Sequence, residues 1–313
     1  MRPEHLVTAL LLLLLLVSTA AAAPLRVVVI SDLNGSYGST SYAPRIDRAI
    51  DRVIELRPDL VISTGDMVAG QRRPHLTRKQ VRAMWSAFHR VVSDRLAAAG
   101  IPFAVTPGNH DASAYGGFQH ERDIYREQWL PRKPKLDFVD DADYPFFYAF
   151  DMGGVRFVSL DATTLGPLSG DQMSRLEGLA RGKKALVTYS HLPLWPFARN
   201  REREVIGDTR LESIYRKTGV DLHLSGHHHA FYPGEKNGIL YVSQACLGGG
   251  PRKLIGDARR SHHSFTVVDI DKEGEISLHA LVEPDYRRKI PLSTLPERIV
   301  TPMATLRRMD LAQ

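Results

Sequence analysis

Five short apolar runs in this chain break off abruptly into groups of carboxylate, amide and imidazole residues, and this pattern restricts the fold more than any other feature. Leu25 to Ile30 runs into Ser31-Asp32-Leu33-Asn34-Gly35, and Leu60-Val61-Ile62 into Ser63-Thr64-Gly65-Asp66. Ile101 to Val105 reaches Gly108-Asn109-His110-Asp111 through Thr106 and Pro107. Ala185 to Tyr189 carries Ser190-His191-Leu192-Pro193, and Val220 to Leu224 carries Ser225-Gly226-His227-His228-His229. Short β-branched runs closed by turn residues read as buried strands. Ligands of open α/β sheets gather where strands end. If the runs share one sheet, Asp32, Asp66, Asn109, His191, His227 and His229 converge.

Taken singly, each group has a plainer explanation. An aspartate after a strand often caps a turn, and Pro-Gly-Asn is ordinary turn chemistry. Lone histidines such as His75, His89, His120, His223, His262 and His263 read as hydrogen-bonded core or surface residues. The combination is what carries chemistry. Mixed carboxylate and imidazole donors suit zinc, manganese or iron better than calcium. They also exceed what one tetrahedral ion needs, so a carboxylate such as Asp66 can bridge two ions about 3.5–4 Å apart.

Between the strands, helical spacing predicts a helix over Pro44 to Leu56 and a longer one over Thr77 to Ala99, whose stripe of Val81, Met84, Trp85, Phe88, Val91, Val92 and Leu96 is core. Residues 112–140 read as a loop insertion around a short helix near Phe118 to Trp129. Pro145 to Phe150 and Val155 to Leu160 form a hairpin, followed by helices at Asp171 to Ala180 and Thr209 to Lys217. Ile239 to Val242, Ser264 to Ile270 and Glu275 to Leu281 read as closing strands. Beyond Pro284, proline and basic residues accumulate, which predicts a tail (286–313) with little core of its own.

A chain of 313 residues that is 43% hydrophobic and 24% charged has globular composition, which excludes disordered and fibrous classes. The net charge of +6 is scattered over Arg72-Arg73, Arg199 to Arg203 and Arg287-Arg288-Lys289. It predicts mild steering of anions, with nucleic acid entering only as a possible substrate and no protein partner implied. The lone Cys246 reads as a small apolar packing residue, so no intramolecular disulfide forms. Arg2 and His5, the apolar run Leu6 to Val17, and Ser18 to Ala23 follow the order of a secretory signal over residues 1–23, with cleavage preferred after Ala22. The mature domain (24–285 with its tail) is then expected to be periplasmic or secreted, without stable membrane association. The alternative is a retained anchor, since the apolar stretch approaches the roughly 20 residues needed to span.

In order along the chain, Asp32-Leu33-Asn34, Gly65-Asp66, Gly108-Asn109-His110-Asp111, His191 and Gly226-His227-His228-His229 resemble the signature of the calcineurin-like metallophosphoesterases: D-x-H, G-D, G-N-H-[DE], H and G-H-x-H. The resemblance covers about residues 25 to 285. It implies an α/β fold, a four-layer α-β-β-α sandwich with two mixed central sheets and a metal site at the C-terminal ends of the strands. It further implies two divalent or trivalent ions, with manganese, iron or zinc the expected metals. One would be held by Asp32, Asp66 and His229 with a contribution from Asn34. The other would be held by Asp66, Asn109, His191 and His227. By the same resemblance His110 contacts the phosphoryl group and protonates the leaving oxygen, with Asp111 orienting its ring.

The implied reaction is hydrolysis of a small phosphate monoester or diester by in-line attack of a hydroxide held by the metals. The departure is Asn34, where the signature has histidine. An amide oxygen is a weaker ligand than imidazole for these metals, so the ion on the Asp32 side is expected to bind weakly or to be a harder ion. The competing readings are a catalytically weak or inactive binding member of the fold and an extracellular nuclease. Substrate choice is expected in the loops Ser36 to Tyr42, Gly70 to Pro74, Ala112 to Gly117, Trp195 to Glu204 and Gly248 to Lys253. There Arg252 and Lys253 either meet an anionic substrate or decorate a solvated turn.

Overall fold

The computed structural model of the chain describes residues 23–179 and 184–312. The expected signal over residues 1–23 therefore lies, but for Ala23, outside the described residues, as does Ala180 of one expected helix. Strand β1 (Leu25–Ile30) leads to helix α1 (Pro44–Leu56), β2 (Leu60–Ser63), α2 (Arg78–Phe88), a π-helical turn (His89–Ser93), α3 (Asp94–Ala98) and β3 (Phe103–Val105). Next come the single turn α4 (Asn109–Ala112), α5 (Gln119–Trp129), β4 (Asp137–Asp143), β5 (Phe147–Met152) and β6 (Val155–Ser159). The second half runs α6 (Gly170–Leu179), β7 (Ala185–Ser190), α7 (Thr209–Thr218), β8 (Leu222–Ser225), β9 (Tyr232–Lys236) and β10 (Ile239–Ser243). It closes with β11 (Ser264–Ile270), β12 (Ile276–Val282), β13 (Arg288–Lys289), β14 (Arg298–Val300) and β15 (Thr305–Arg308).

Local chemistry explains the helix ends. Proline opens α1, and Arg57 closes it in the left-handed region at φ 48°. A capping box starts α2: Thr77 Oγ1 accepts from the Gln80 backbone, and Gln80 Oε1 accepts from Thr77 N at 2.9 Å. The long helix expected over Thr77 to Ala99 is continuous in direction but widens into a π turn at His89. There the buried His89 ring is held by Ser93 Oγ at 2.7 Å and Gln128 Oε1 at 3.2 Å, against Trp85 and Trp129.

The five ligand-bearing strands divide between two mixed sheets. The first has the order β13-β12-β11-β1-β2-β3, with β1, β2 and β3 parallel. The second has the order β14-β15-β9-β10-β8-β7-β6-β5-β4, with β6, β7, β8 and β10 parallel. Alternation along β6 and β7 places the sheets face to face. Val155, Phe157, Val187 and Tyr189 share one core with β1 and β2, while Val158 and Leu186 join a second core with Leu176 of α6 and Leu211 and Tyr215 of α7. Helices α1, α2 and α5 cover the first sheet. The result is the four-layer α-β-β-α sandwich, with the C-terminal ends of β1, β2, β3, β7 and β8 gathered at one rim.

Residues 286–312 differ from the expected tail. They supply β13 to the first sheet and β14 and β15 to the second, where β15 pairs with β9. Ile299 and Leu306 are fully buried beside Tyr232, Trp195 and Phe197. Apolar residues spaced singly among prolines and arginines leave no run to recognise, yet each fills a position on a sheet that already exists. Two other strands escape sequence reading for related reasons. β4 is an edge strand rich in aspartate, and β9 contains Pro233 and Gly234.

Candidate metal centre

Asp32 follows β1 with no solvent exposure, and each of its oxygens has a separate task. Oδ2 accepts hydrogen bonds from Ser31 Oγ at 2.5 Å and His227 N at 3.1 Å. Oδ1 receives no hydrogen bond, although His229 Nε2 lies 3.0 Å away. Asp66 repeats the division after β2. Its Oδ1 accepts from His110 N at 2.8 Å, while Oδ2 faces His191 Nε2 at 3.4 Å. One oxygen of each carboxylate is thus spent on the backbone and one is presented to the site. Ligand atoms of Asp32, Asp66 and His191 lie within 4.8 Å of one another.

The imidazoles are prepared in the same way from the other side. His191 donates Nδ1–H to the Thr64 carbonyl at 2.8 Å, His229 donates Nδ1–H to the Gly250 carbonyl at 3.1 Å, and His227 donates Nε2–H to Glu204 Oε2 at 2.9 Å. A second nitrogen fixed by a carbonyl or carboxylate is what orients a metal-bound histidine and raises its basicity. The remaining nitrogens then present lone pairs inward. His227 Nδ1 sits 3.2 Å from His191 Nε2, which is 2.9 Å from Asn109 Oδ1. Asn109 is turned this way because its amide nitrogen donates to Gln71 Oε1 at 2.6 Å. Lone pairs facing lone pairs at such distances repel unless a cation lies among them, so the donor set fits a bound metal.

The electrostatics agree. Burial disfavours ionised Asp32, but His229 and then His191 outweigh it and hold the carboxyl below its ordinary value. Asp66 is likewise held low, against burial, chiefly by His191 and His110. Burial lowers the imidazoles, yet Asp66 lifts His191 to about 9 and Asp32 lifts His229 to about 10. Two buried carboxylates demand positive charge in the site, from protons when no metal is bound.

The backbone is bent to build this arrangement. Asp32, Asp66, His227 and His229 all have left-handed φ, between 51° and 62°, a cluster of unfavourable conformations that surrounding structure must impose. Glycines allow the close crossings. A Cβ on Gly108 would lie 2.1 Å from Asp66 N, and one on Gly226 would lie 2.4 Å from Ser31 Oγ.

The site opens into a cavity of about 210 Å³ whose walls include Asn34, Tyr37, His110, His227, His229 and Arg252. His110 donates Nδ1–H to the Gly70 carbonyl at 2.9 Å and presents Nε2, 4.0 Å from Asp66 Oδ2. Its ring is therefore set by Gly70 and not, as expected, by Asp111. Asp111 instead braces the two loops that carry Asp66 and Asn109, accepting from Met67 N, Val68 N and Gly108 N at 2.8–2.9 Å. Burial and the nearby Asp66 charge push its carboxyl up to about 7 despite these donors. His228 is fully buried and turned away from the cavity. It accepts from Phe197 N and Ala198 N and donates to the Glu204 carbonyl at 3.1 Å, clamping the segment that holds Glu204.

The structure thus brings together Asp32, Asn34, Asp66, Asn109, His191, His227, His229 and His110, with Asp111 beneath them. Sequence reasoning missed Glu204, Gln71 and the carbonyls of Thr64, Gly70 and Gly250. Carbonyls have no signature in sequence, and Glu204 sits in a loop among arginines that mask it. Its carboxyl is lowered to about 2, foremost by the His227 hydrogen bond.

A family model described as calcineurin-like phosphoesterase matches residues 25–231. Purple acid phosphatase 15 of Arabidopsis thaliana is 24% identical over 259 residues, which is 75% of this chain and 45% of that protein. Transmembrane protein 62 of Mus musculus is 24% identical over 136 residues, 43% of this chain and 20% of that protein. The chain therefore spans less than half the length of these curated relatives. Among solved structures, purple acid phosphatase PPD1 of yellow lupin superposes with a TM-score of 0.61 at 17% identity, covering 82% of this chain and 51% of that one. A dimetal phosphatase of Danio rerio gives 0.56 at 15% identity, covering 82% and 98%.

Proposed function

The chain belongs to the calcineurin-like phosphoesterases, and from that membership we propose that it is an exported hydrolase of small phosphate esters that works with two bound metal ions. The observation that carries this reading is the facing of three pre-oriented imidazoles and an amide oxygen onto two buried carboxylates. Asp32, Asp66, His229 and Asn34 would hold one ion, and Asp66, Asn109, His191 and His227 the other. The donor chemistry suits manganese, iron or zinc. Bound there, the metals supply Lewis acidity toward the phosphoryl oxygens and an activated water. His110, tied through Nδ1, directs Nε2 into the cavity, where it can give a proton to the departing oxygen. Arg252 lines the same cavity and offers positive charge to the phosphoryl group. Export is supported by the order of residues 1–23.

Hydrolysis of p-nitrophenyl phosphate and of its bis ester, with manganese, zinc, iron or calcium added, tests the reading. Turnover with at least one transition metal is expected, lost together with metal binding in Asp66→Ala and lowered with metal retained in His110→Ala. No turnover of either ester with any metal would favour a binding protein that keeps the fold. Metal analysis after exhaustive dialysis tests the consequence of Asn34: one tightly held ion is expected, and two would refute a weakened Asp32 side.

A further inference from the structure

A second cavity adjoins the first and is walled by cations. It encloses about 370 Å³ and is lined by Arg199, Asn200, Arg201, Arg252, Lys253 and Arg260. Arg252 lines both cavities, so the two meet at one residue.

Backbone hydrogen bonds bring together the segments that carry these cations. Ala198 bridges Leu254 and Lys253 bridges Arg260, while Arg199 N donates to the Lys253 carbonyl at 2.9 Å and Ser261 N to the Arg252 carbonyl at 2.8 Å. The Arg252 guanidinium donates to the His227 carbonyl, and that of Arg260 to the Pro251 carbonyl at 2.8 Å. Neutral carbonyls position the Arg252 and Arg260 guanidinium groups without cancelling their charge. Arg201 faces Glu204, a carboxylate already shared with His227. Among the described residues, no carboxylate lies within ion-pair distance of Arg199, Arg252, Lys253 or Arg260. Glu204 compensates only the Arg201 part of the cluster, and the remaining like charges repel one another. The same arrangement concentrates anions.

We propose that this cavity receives a second phosphoryl group of the substrate whose scissile phosphoryl group lies at the metal centre, so that the preferred substrate is a small bisphosphorylated ester. The inference rests on the phosphoester-hydrolase reading and narrows it. Guanidinium groups match phosphoryl oxygens in geometry as well as charge. A polynucleotide fits less well where its track would cross surface arginines already paired with neighbours, as Arg259 is with Asp257, Arg210 with Asp208 and Arg287 with Glu55. No basic track continues from the cavity through these residues.

The test compares kcat/KM for glucose 1,6-bisphosphate with that for glucose 1-phosphate and glucose 6-phosphate, using the full mature chain loaded with manganese. The bisphosphate is expected to be preferred at least roughly tenfold, as for one charge-assisted contact. In Arg199→Ala/Lys253→Ala that ratio falls toward one. A general loss of folding lowers all three values and leaves the ratio intact, and an intact ratio overturns the proposal. Equal values for the three sugars, with p-nitrophenyl phosphate still hydrolysed, overturn it while the hydrolase reading stands. Failure on every ester removes both. Salt-sensitive cleavage of a single-stranded oligonucleotide, reduced in the double variant and without bisphosphate preference, would overturn it in favour of a polynucleotide.

Discussion

An imidazole coordinates a metal best when its outer nitrogen is already engaged, and Glu204 does this for His227. Glu204 also receives Arg201, so its position is fixed from two sides. Replacing Glu204 by alanine should weaken metal binding by roughly 10–100-fold, read by competition with a chromophoric chelator. Unchanged affinity would show that His227 is held by packing alone. At this scale the candidate donors themselves were legible in the sequence, because each follows directly from the strand that carries it. The group that turns each donor was not. His191 takes its orientation from a carbonyl 127 residues away, and His110 from one 40 residues away. Asp111 illustrates the limit, since the family resemblance implied a partner for His110 and folding made it a brace for Met67 and Val68.

Elements were readable where local preference and burial point the same way. Pro44–Leu56 and Leu25–Ile30 appear with the expected bounds because a proline start, a 3.6-residue stripe and a β-branched run state their own structure. The π turn at His89 is set by tertiary contacts to Trp129 and Gln128 and has no local pattern. The three last strands are stable only as additions to sheets formed earlier in the chain. Ile299 fills the second core with no exposure, so Ile299→Ala should destabilise the protein by about 2–5 kcal/mol. Urea denaturation measures this, and a loss near zero would mean that the segment lies outside the cooperative unit.

At the scale of the whole molecule, acid should unfold the protein through histidines remote from the metal centre. His223 is buried among the hydroxyls of Thr188 and Tyr215, and burial lowers it from 6.5 to about 3. Burial, followed by Arg132, lowers His89 to about 4. The unfolded chain binds protons that these folded-state imidazoles refuse, so their contribution is complete above about 6.5 and drains away as pH falls toward 3. With chelator present throughout, Tm should drop between pH 7 and 4.5, and less steeply in His223→Gln. Equal slopes would assign the acid sensitivity to other groups. The sequence by itself determined the buried strands and the candidate donors at their ends, since both are consequences of short stretches of chain, and its family resemblance implied the two sheets. Tertiary structure alone decided that the outer nitrogens meet Thr64, Gly250 and Glu204, and that Arg252 lines both the cavity of the candidate metal centre and a cationic one. The reason is physical: such contacts join segments far apart in the chain, many through backbone carbonyls that every residue possesses.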